Sequence, residues 1–386
     1  MSGPEDAAAV LAYHERSKHR LDRYAPGPGY LDWANQPDPF RSFDGAEHVL
    51  LPLCADAVRT PFASVRGGAL PPPRTLDQEG VAALLELSLG LSAWKSFRGS
   101  TWALRCNPSS GNLHPTEGYV VCPELPGLAA GVHHYVSRDH ALERRAEPAA
   151  GWSPAFPAGG FLVGLSSIHW REAWKYGMRA YRYCQHDVGH AIAAVAYAAA
   201  ALGWRTRRLS CWSDADVAAL LGLGRADDFA GAEQEAPDAL LWVGRKEVQP
   251  EFGPLLSALD GARWRGRANR LSETHRKWPD IHEAHAATGK PRTPPEAMPL
   301  PSPLPPLTPV VGDVAAAALI RSRRSAVDFD GVTGISAAAF FTMMDALLWV
   351  GRKEVQPEFG PLLSALDGAR WRGRANRLSE THRKWP

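Results

Sequence analysis

The stretch Arg105–Glu117, with the sequence RCNPSSGNLHPTE, constrains the fold more than any other part of the chain. Pro108 and Gly111 favour a sharp turn, onto which hydroxyl, amide and imidazole side chains crowd. The apolar run Tyr119–Val121 that follows predicts a strand. A polar turn that leads into a strand can place backbone amides against a ligand. It can equally be an ordinary loop that satisfies its own backbone, and composition alone does not separate the two.

The composition is that of a globular protein with a packed core. The 386 residues are 45% hydrophobic and 22% charged, and the length suits two domains. A formal net charge of +2 gives no support to nucleic-acid binding. The five cysteines lack a CxxC pair, which argues against a zinc site or a disulfide framework. We find no signal peptide and no apolar run of about 18 residues, so we expect a cytoplasmic protein without a membrane span.

Several elements can be predicted on either side of the turn. Ala7–Arg20 and the segment after Asp77 predict helices, the second capped by the aspartate side chain. Strands are predicted at Tyr119–Cys122, Val132–Val136, Phe161–Ile168, Trp204–Leu209 and Leu240–Val243. Between them, Asp187 should open a buried, Ala-rich helix that ends before Gly203, and Ser213 should cap Ala215–Leu221. His133 and His134 are adjacent on a strand and should point to opposite faces, which disfavours a shared metal ion.

The turn carries a resemblance to a known family. Its Pro-Ser-Ser-x-Asn string resembles the flavin-binding segment of FMN-dependent nitroreductases, in the form typical of SagB/ThcOx-type dehydrogenases. The resemblance covers roughly residues 13–244, with a partial second match over 313–348. Asn112 offers amide donors and an acceptor, which suit the edge of a planar heterocycle. The resemblance implies FMN as cofactor and the following contacts in the first region: Arg105, Pro108, Ser109, Ser110, Asn112 and His114.

A second stretch of chemical interest is Arg171–His190, REAWKYGMRAYRYCQHDVGH. Its cations recur at helical spacing among aromatic residues, which suggests partial burial in a cleft. Lys175 and Tyr176 match a Lys-Tyr pair that is implicated in proton transfer in the azoline-oxidising branch of the family, and the resemblance makes them the predicted catalytic residues. The ordinary alternative is a surface lysine beside a core tyrosine. We expect burial and the nearby Arg171, Arg179 and Arg182 to lower the pKa of the lysine.

An exact duplication divides the C-terminal part of the chain. Residues 238–279 recur identically as residues 345–386, and two identical copies do not make a solenoid. A proline-rich stretch before the second copy predicts a stiff, extended linker. We therefore predict a nitroreductase-like domain over residues 1–280, a linker over 281–312, and a truncated second nitroreductase-like domain over 313–386 that ends in the duplicated segment.

The second region contributes a basic turn. Asp313 should cap a short helix, and SRRSAVDFDG follows it. In the family an Arg-Arg/His-Ser turn at this point grips the FMN phosphate, so the resemblance assigns Arg323, Arg324 and Ser325 to that role. Val327 replaces a further basic residue that many members carry. A helix is predicted over residues 336–348, where the match ends.

The resemblance implies an α+β fold with a mainly antiparallel sheet wrapped by helices. Such proteins are usually two-fold dimers with FMN at the interface, so we expect a pseudo-dimer within the chain or a homodimer. One hypothesis is an FMN-dependent oxidoreductase that dehydrogenates an azoline, peptide-like or other small substrate, with NAD(P)H as a candidate electron donor. The other is an inactive, flavin-free scaffold or binding protein. No metal is predicted.

Overall fold

The structure, a computed structural model, describes residues 4–149, 151–294, 314–326, 328–340 and 342–343. Its helices are α1 (Pro4–Ser17), α2 (Phe62–Gly67), α3 (Gln78–Ser88), α4 (His169–Tyr176), α5 (Ala180–Ala201), α6 (Asp214–Leu221), α7 (Phe252–Ser257), α8 (Pro279–Ala287) and α9 (Ala316–Ser322). Its strands are β1 (Phe43–Asp44), β2 (Glu47–Leu50), β3 (Leu91–Phe97), β4 (Ser100–Arg105), β5 (Thr116–Cys122), β6 (Gly131–Val136), β7 (Ala141–Glu147), β8 (Gly160–Ser167), β9 (Arg205–Arg208), β10 (Ala236–Gly244), β11 (Arg263–Trp264) and β12 (Arg267–Ala268).

One antiparallel sheet organises the fold. Its strand order is β11-β7-β6-β5-β8-β10-β9, and β2 also pairs with β7. The predicted neighbours β5 and β6 pair with Tyr119 opposite His134. Strands β3 and β4 form a separate two-stranded hairpin whose second strand ends at Arg105. With helices on the sheet, this is the α+β fold with a mainly antiparallel sheet that the sequence predicts, and that prediction is confirmed.

The sheet is buried on both faces because its strands alternate apolar side chains between two cores. Val120 of β5 and Val163 of β8 join the core beneath α3 and α5. Tyr119 of β5 and Leu162 of β8 join the opposite core, which includes residues of α6. This period of two follows from the pleat, which sends successive side chains to opposite sides.

The helix caps follow their sequence signals, with one correction. The Asp77 side chain accepts the Gly80 amide at 2.8 Å, as predicted, and Ser213 forms a capping box with Asp216. The Ala-rich helix, however, does not open at Asp187. It begins seven residues earlier at Ala180, so Asp187 lies inside α5 with a buried side chain.

The segment that follows the predicted linker packs against the first region. The Ala316 amide donates to the Thr60 carbonyl at 2.8 Å, and the Phe62 amide donates to the Val314 carbonyl at 2.9 Å. Ala316 and Ala317 are buried in the core beneath α3 and α5. Helix α9 therefore contributes apolar surface to the core of the first region.

Helix α8 occupies residues 281–287 of the range that we assigned to an extended linker, because the prolines begin only at Pro291. Residues 337–340 and 342–343 are helical, within the predicted helix 336–348. Residues 295–313, Val327 and the duplicated copy 345–386 lie outside the described residues. The described helices include none that is long and apolar enough to cross a membrane.

Candidate functional site

The predicted cofactor turn connects hairpin strand β4 to sheet strand β5 and has an unusual backbone. Gly111, Asn112 and His114 all have positive φ, at 64°, 60° and 51°. Two non-glycine residues in the left-handed region so close together cost conformational energy and are typical of functional sites. Pro108 and Ser109 are half-buried and Gly111 is exposed, so the rim of the turn is accessible.

Side chains of the turn hold this backbone in place. The Ser109 hydroxyl accepts the His114 amide at 2.8 Å. The Asn112 amide group donates to the Ala103 carbonyl at 2.9 Å, and its oxygen lies 3.0 Å from Nε2 of His114. Asn112 therefore stabilises the turn itself, in addition to the ligand contact that the sequence predicts for it. Burial and the nearby Arg105 and Arg171 hold the pKa of His114 well below its usual value, so this ring is neutral.

The Lys175–Tyr176 pair lies directly against this turn. A Cβ atom built on Gly111 would come within 2.5 Å of the Tyr176 hydroxyl and 3.1 Å of Nζ of Lys175. Only glycine fits here, because any side chain would collide with the phenol and also meet an unfavourable φ. The structure thus brings together the predicted cofactor turn and the predicted catalytic pair, which are more than 60 residues apart in sequence.

Burial sets the protonation of the pair. It lowers the pKa of Lys175, while Glu172 acts in the opposite direction. Burial also raises the pKa of Tyr176, so the phenol keeps its proton at neutral pH. The ring of Tyr176 packs against Tyr183 with centroids 4.3 Å apart. A lysine and a phenol in such surroundings can exchange a proton with a bound molecule.

The arginines that we expected to lower the pKa of Lys175 have other partners. Arg171 is fully buried, pairs with Glu117 and donates to the His114 carbonyl at 2.7 Å. Arg179 donates to the Ser17 carbonyl at 2.8 Å, and Arg182 donates to the Ser17 hydroxyl at 2.9 Å. That expectation is wrong, because α1 covers two of these cations and the third belongs to the core.

Two carboxyl groups near the pair were not predicted. Asp187 of α5 accepts the Ser110 amide at 3.0 Å and the Ser110 hydroxyl at 3.1 Å, which ties α5 to the turn. Glu172, one helical turn before Lys175, is fully buried. Two features of the sequence could have indicated them. Asp187 is a charged residue inside an Ala-rich helix, and Glu172 lies three residues before Lys175, on the same helical face.

Arg105 lies beneath the turn and not on its rim. Its side chain is buried and donates to the carbonyls of Thr116 at 3.1 Å and Pro39 at 2.7 Å. Nε of Arg105 and Nδ1 of His114 are buried without a hydrogen-bond partner among the described residues. Unsatisfied buried donors and acceptors of this kind mark places where a ligand or a water molecule completes the network.

The predicted phosphate-binding residues follow α9 and approach the start of the turn. Nη2 of Arg323 donates to the Cys106 carbonyl at 3.3 Å. Nη2 of Arg324 donates to the Ser92 carbonyl on strand β3 at 3.3 Å, and Ser325 is exposed. The structure thus brings the two arginines to the base of the hairpin and the turn.

The two adjacent histidines do not form a metal site. Nε2 of His133 contacts the Ala129 carbonyl at 2.9 Å, whereas His134 lies between Glu117 and Glu143 at 3.1 and 3.0 Å. The described residues contain no group of three or more histidine, cysteine or acidic side chains that could hold a metal ion.

Sequence comparison relates the chain to nitroreductases. No protein-family model matches it. A nitroreductase-like protein of Methanocaldococcus jannaschii is 26% identical over 147 residues, which are 36% of this chain and 69% of that protein. The trifolitoxin-processing protein TfxB of Rhizobium leguminosarum bv. trifolii is 35% identical over 109 residues, 25% of this chain. The match to TfxB spans only 29% of that protein's length.

Structural comparison identifies the fold. The crystal structure of a nitroreductase-like protein from Anabaena variabilis superposes with a TM-score of 0.59 and 21% identity. The match covers 89% of this chain and 70% of that protein. The sequence relatives support a relationship to nitroreductases, and the chain has the nitroreductase fold.

Proposed function

We propose that this chain is an FMN-dependent oxidoreductase of the SagB/ThcOx type, which dehydrogenates an azoline, peptide-like or other small organic substrate. The observation that carries the proposal is the contact between the turn and the pair, in which Gly111 lies against the Tyr176 hydroxyl and Nζ of Lys175. Dehydrogenation at a flavin needs an acid–base group within reach of the bound substrate, and this contact places one beside the predicted cofactor turn. The similarity to nitroreductases does not favour the flavin-free alternative.

The residues around the turn fit a flavin mononucleotide. Ser109, Ser110 and Asn112 present hydroxyl, amide and backbone groups on an accessible rim, which suits a polar ring edge. Arg323 and Arg324 add two guanidinium groups at Cys106 and Ser92, and such groups suit a phosphate. The first region would hold the ring and the segment after α9 would hold the phosphate, which makes one composite site per chain.

The protein's part in the chemistry is proton handling. A bound flavin supplies the acceptor for a hydride, and the protein places the base. Because burial lowers the pKa of Lys175, its Nζ gives up its proton more readily than that of an exposed lysine and is suited to accept one from a substrate. Because the pKa of Tyr176 is raised, its hydroxyl remains a hydrogen-bond donor that can orient Lys175 or the substrate.

The name of one relative bears on the substrate. TfxB is described as processing trifolitoxin. The hairpin β3–β4 leads into the turn and carries the exposed aromatic residues Trp94 and Phe97. Exposed aromatic side chains beside the site would suit an extended substrate with apolar groups.

The test is flavin binding by the full chain. We expect purified protein to carry a flavin absorbance spectrum, or to bind added FMN with quenching of its fluorescence. Replacing Arg323 and Arg324 by alanine should weaken FMN binding by about tenfold or more, the usual effect of losing charge-assisted hydrogen bonds. The exposed Arg245→Ala serves as the matched control and should bind normally. A colourless protein that binds no FMN would overturn the proposal.

A further inference from the structure

Glu172 is a buried carboxyl group without a hydrogen-bond donor among the described residues. Glu172 is 0% exposed, and neither of its carboxyl oxygens has a hydrogen-bond partner within the described part of the chain. A buried carboxylate in this situation would carry the full cost of losing its hydration. The group either loses its charge or gains a partner, and its neighbours decide between the two.

Titratable groups from two helices surround Glu172. Lys175 follows one turn later on α4, where positions three apart lie on the same face. Asp187, Tyr183 and Cys184 of α5 interact with Glu172 electrostatically from the other side. Of these groups only Lys175 can offer a positive charge, while Asp187 offers a negative one. Glu172 therefore lies between an attractive and a repulsive neighbour.

The proton in this carboxyl pair belongs on Glu172. Asp187 accepts two hydrogen bonds from Ser110, one from the amide and one from the hydroxyl. Hydrogen-bond donors stabilise the ionised form of a carboxyl group, whereas burial without donors stabilises the neutral form. When two carboxyl groups lie close together, the second ionisation is disfavoured. Burial raises the pKa of Asp187 as well, but its hydrogen bonds oppose that rise, whereas burial and Asp187 together hold the pKa of Glu172 well above its usual value, so of the two groups Asp187 is the one that carries the charge.

We propose that Glu172 is a positioning residue that burial and the neighbouring Asp187 keep protonated, so that it adds no negative charge beside Lys175. The inference rests on the proposed role of Lys175 as the base, and it explains how Lys175 can act as a base although a glutamate lies next to it. An ionised Glu172 would favour the ammonium form of Lys175, which cannot accept a proton. Since Asp187 is bonded to Ser110, the state of the base is also coupled to the turn itself.

The inference makes an unusual prediction for Asp187→Asn. Removal of a nearby negative charge ordinarily lowers the pKa of a lysine. Here the loss of the Asp187 charge removes one of the two effects that keep Glu172 neutral, so Glu172 would ionise more readily and the pKa of Lys175 would rise instead. The asparagine oxygen can still accept the Ser110 amide, so the turn keeps its support. The double variant with Glu172→Gln removes the group that ionises, so the pKa of Lys175 should return to the wild-type value or fall below it.

The experiment measures the neutral fraction of Lys175 directly. The full chain is labelled with acetic anhydride, and the peptide that contains Lys175 is quantified by mass spectrometry across pH. An opposite charge shifts a pKa by about one unit or more, so labelling in Asp187→Asn should fall about tenfold near neutral pH. The double variant should label at the wild-type rate or faster. Unchanged labelling in Asp187→Asn, or slow labelling in the double variant, would overturn the inference.

A second measurement covers the case in which Asp187→Asn does not fold. Infrared spectra of the wild type at neutral pH should contain a protonated-carboxyl band that Glu172→Gln lacks. The exposed Glu273→Gln is the matched control and should keep that band. An identical band in wild type and Glu172→Gln refutes a protonated Glu172. Neither measurement needs flavin or turnover, so failure of the proposed function, seen as absent FMN binding, is distinguishable from failure of this inference.

Discussion

Two buried charged clusters border the turn, and they differ in how their charges are satisfied. We call Glu117, His134, Glu143 and Arg171 the Glu117 cluster, and Glu172, Lys175 and Asp187 the Glu172 cluster. In the first, His134 lies within 3.1 Å of Glu117 and 3.0 Å of Glu143, and Arg171 also pairs with Glu117. In the second, two carboxyl groups lie near each other and Glu172 has no hydrogen-bond partner among the described residues.

The Glu117 cluster stabilises the fold, whereas the Glu172 cluster contains the lysine that we propose as the base. Closely paired opposite charges hold each other ionised, and the pKa of Glu117 falls to about 2 despite burial, chiefly because of Arg171. Such a cluster fixes the strand end that carries the turn. In the second cluster the pKa of Glu172 is raised by burial and by Asp187, and that of Lys175 is lowered by burial, and shifted pKa values of this kind are common at acid–base sites.

The largest expected effect comes from Lys175→Ala in the Glu172 cluster. Loss of a positioned base costs about 10²–10⁴-fold in turnover. FMN should remain bound, because the flavin contacts that we propose lie on the turn and after α9. Steady-state turnover of a peptide or azoline substrate, with flavin content measured in parallel, checks this.

Lys175→Ala also has outcomes that would contradict its assignment. A flavin-loaded variant that turns over at the wild-type rate would exclude the role as base. A variant that folds but loses its flavin would instead make Lys175 a cofactor ligand.

In the Glu117 cluster the largest effect should be on stability. Glu117→Gln leaves Arg171 and His134 buried with a weakened partner, and broken buried ion pairs typically cost about 3–5 kcal/mol in the free energy of unfolding. Urea denaturation measures this. The exposed pair of Glu147 and Arg263 provides the control, since Glu147→Gln should leave the free energy of unfolding nearly unchanged. Equal losses in both variants would mean that the cluster is not a support.

His134 should make stability depend on pH in the alkaline range. The two glutamates raise its pKa to about 9 against the opposing effect of burial. A group whose pKa is raised in the folded state stabilises fully below its unfolded value of about 6.5, and this contribution is lost as pH rises through about 9. The loss should be on the order of 3 kcal/mol. The check is the difference in unfolding free energy between wild type and His134→Gln, measured at several pH values in that window.

The sequence predicted the fold better than the surroundings of the site. Strands β5, β6 and β8, the Asp77 cap and the Ser213 cap all follow from local patterns. The surroundings of Lys175 depend on contacts between distant segments, which spacing cannot reveal. The end of helix α1 lies beside the start of α5. Arg179 and Arg182 therefore donate to Ser17 and do not face the lysine.

The same limit explains the missed carboxyl groups. Asp187 has the appearance of an N-cap because an apolar run follows it, yet α5 extends to Ala180 and the side chain bonds to Ser110 from within the helix. Ser110 is 77 residues away in sequence. The turn itself was predicted from its residues, whereas its neighbours follow from how α4 and α5 pack beside it.

The smallest effect should come from Asn112, which lies on the turn between the two clusters. Its amide donates to Ala103 and its oxygen faces His114, so one amide hydrogen remains for a ligand. Asn112→Ala should weaken FMN binding by roughly 1–3 kcal/mol, the cost of an unpaired polar group. Asn112→Asp keeps an oxygen for His114 but removes the donor, and it should lose a similar share of affinity if the donor contacts the flavin. FMN titration of both variants distinguishes a flavin contact from a purely structural role. An Asn112→Asp protein with wild-type affinity would show that Asn112 only stabilises the turn.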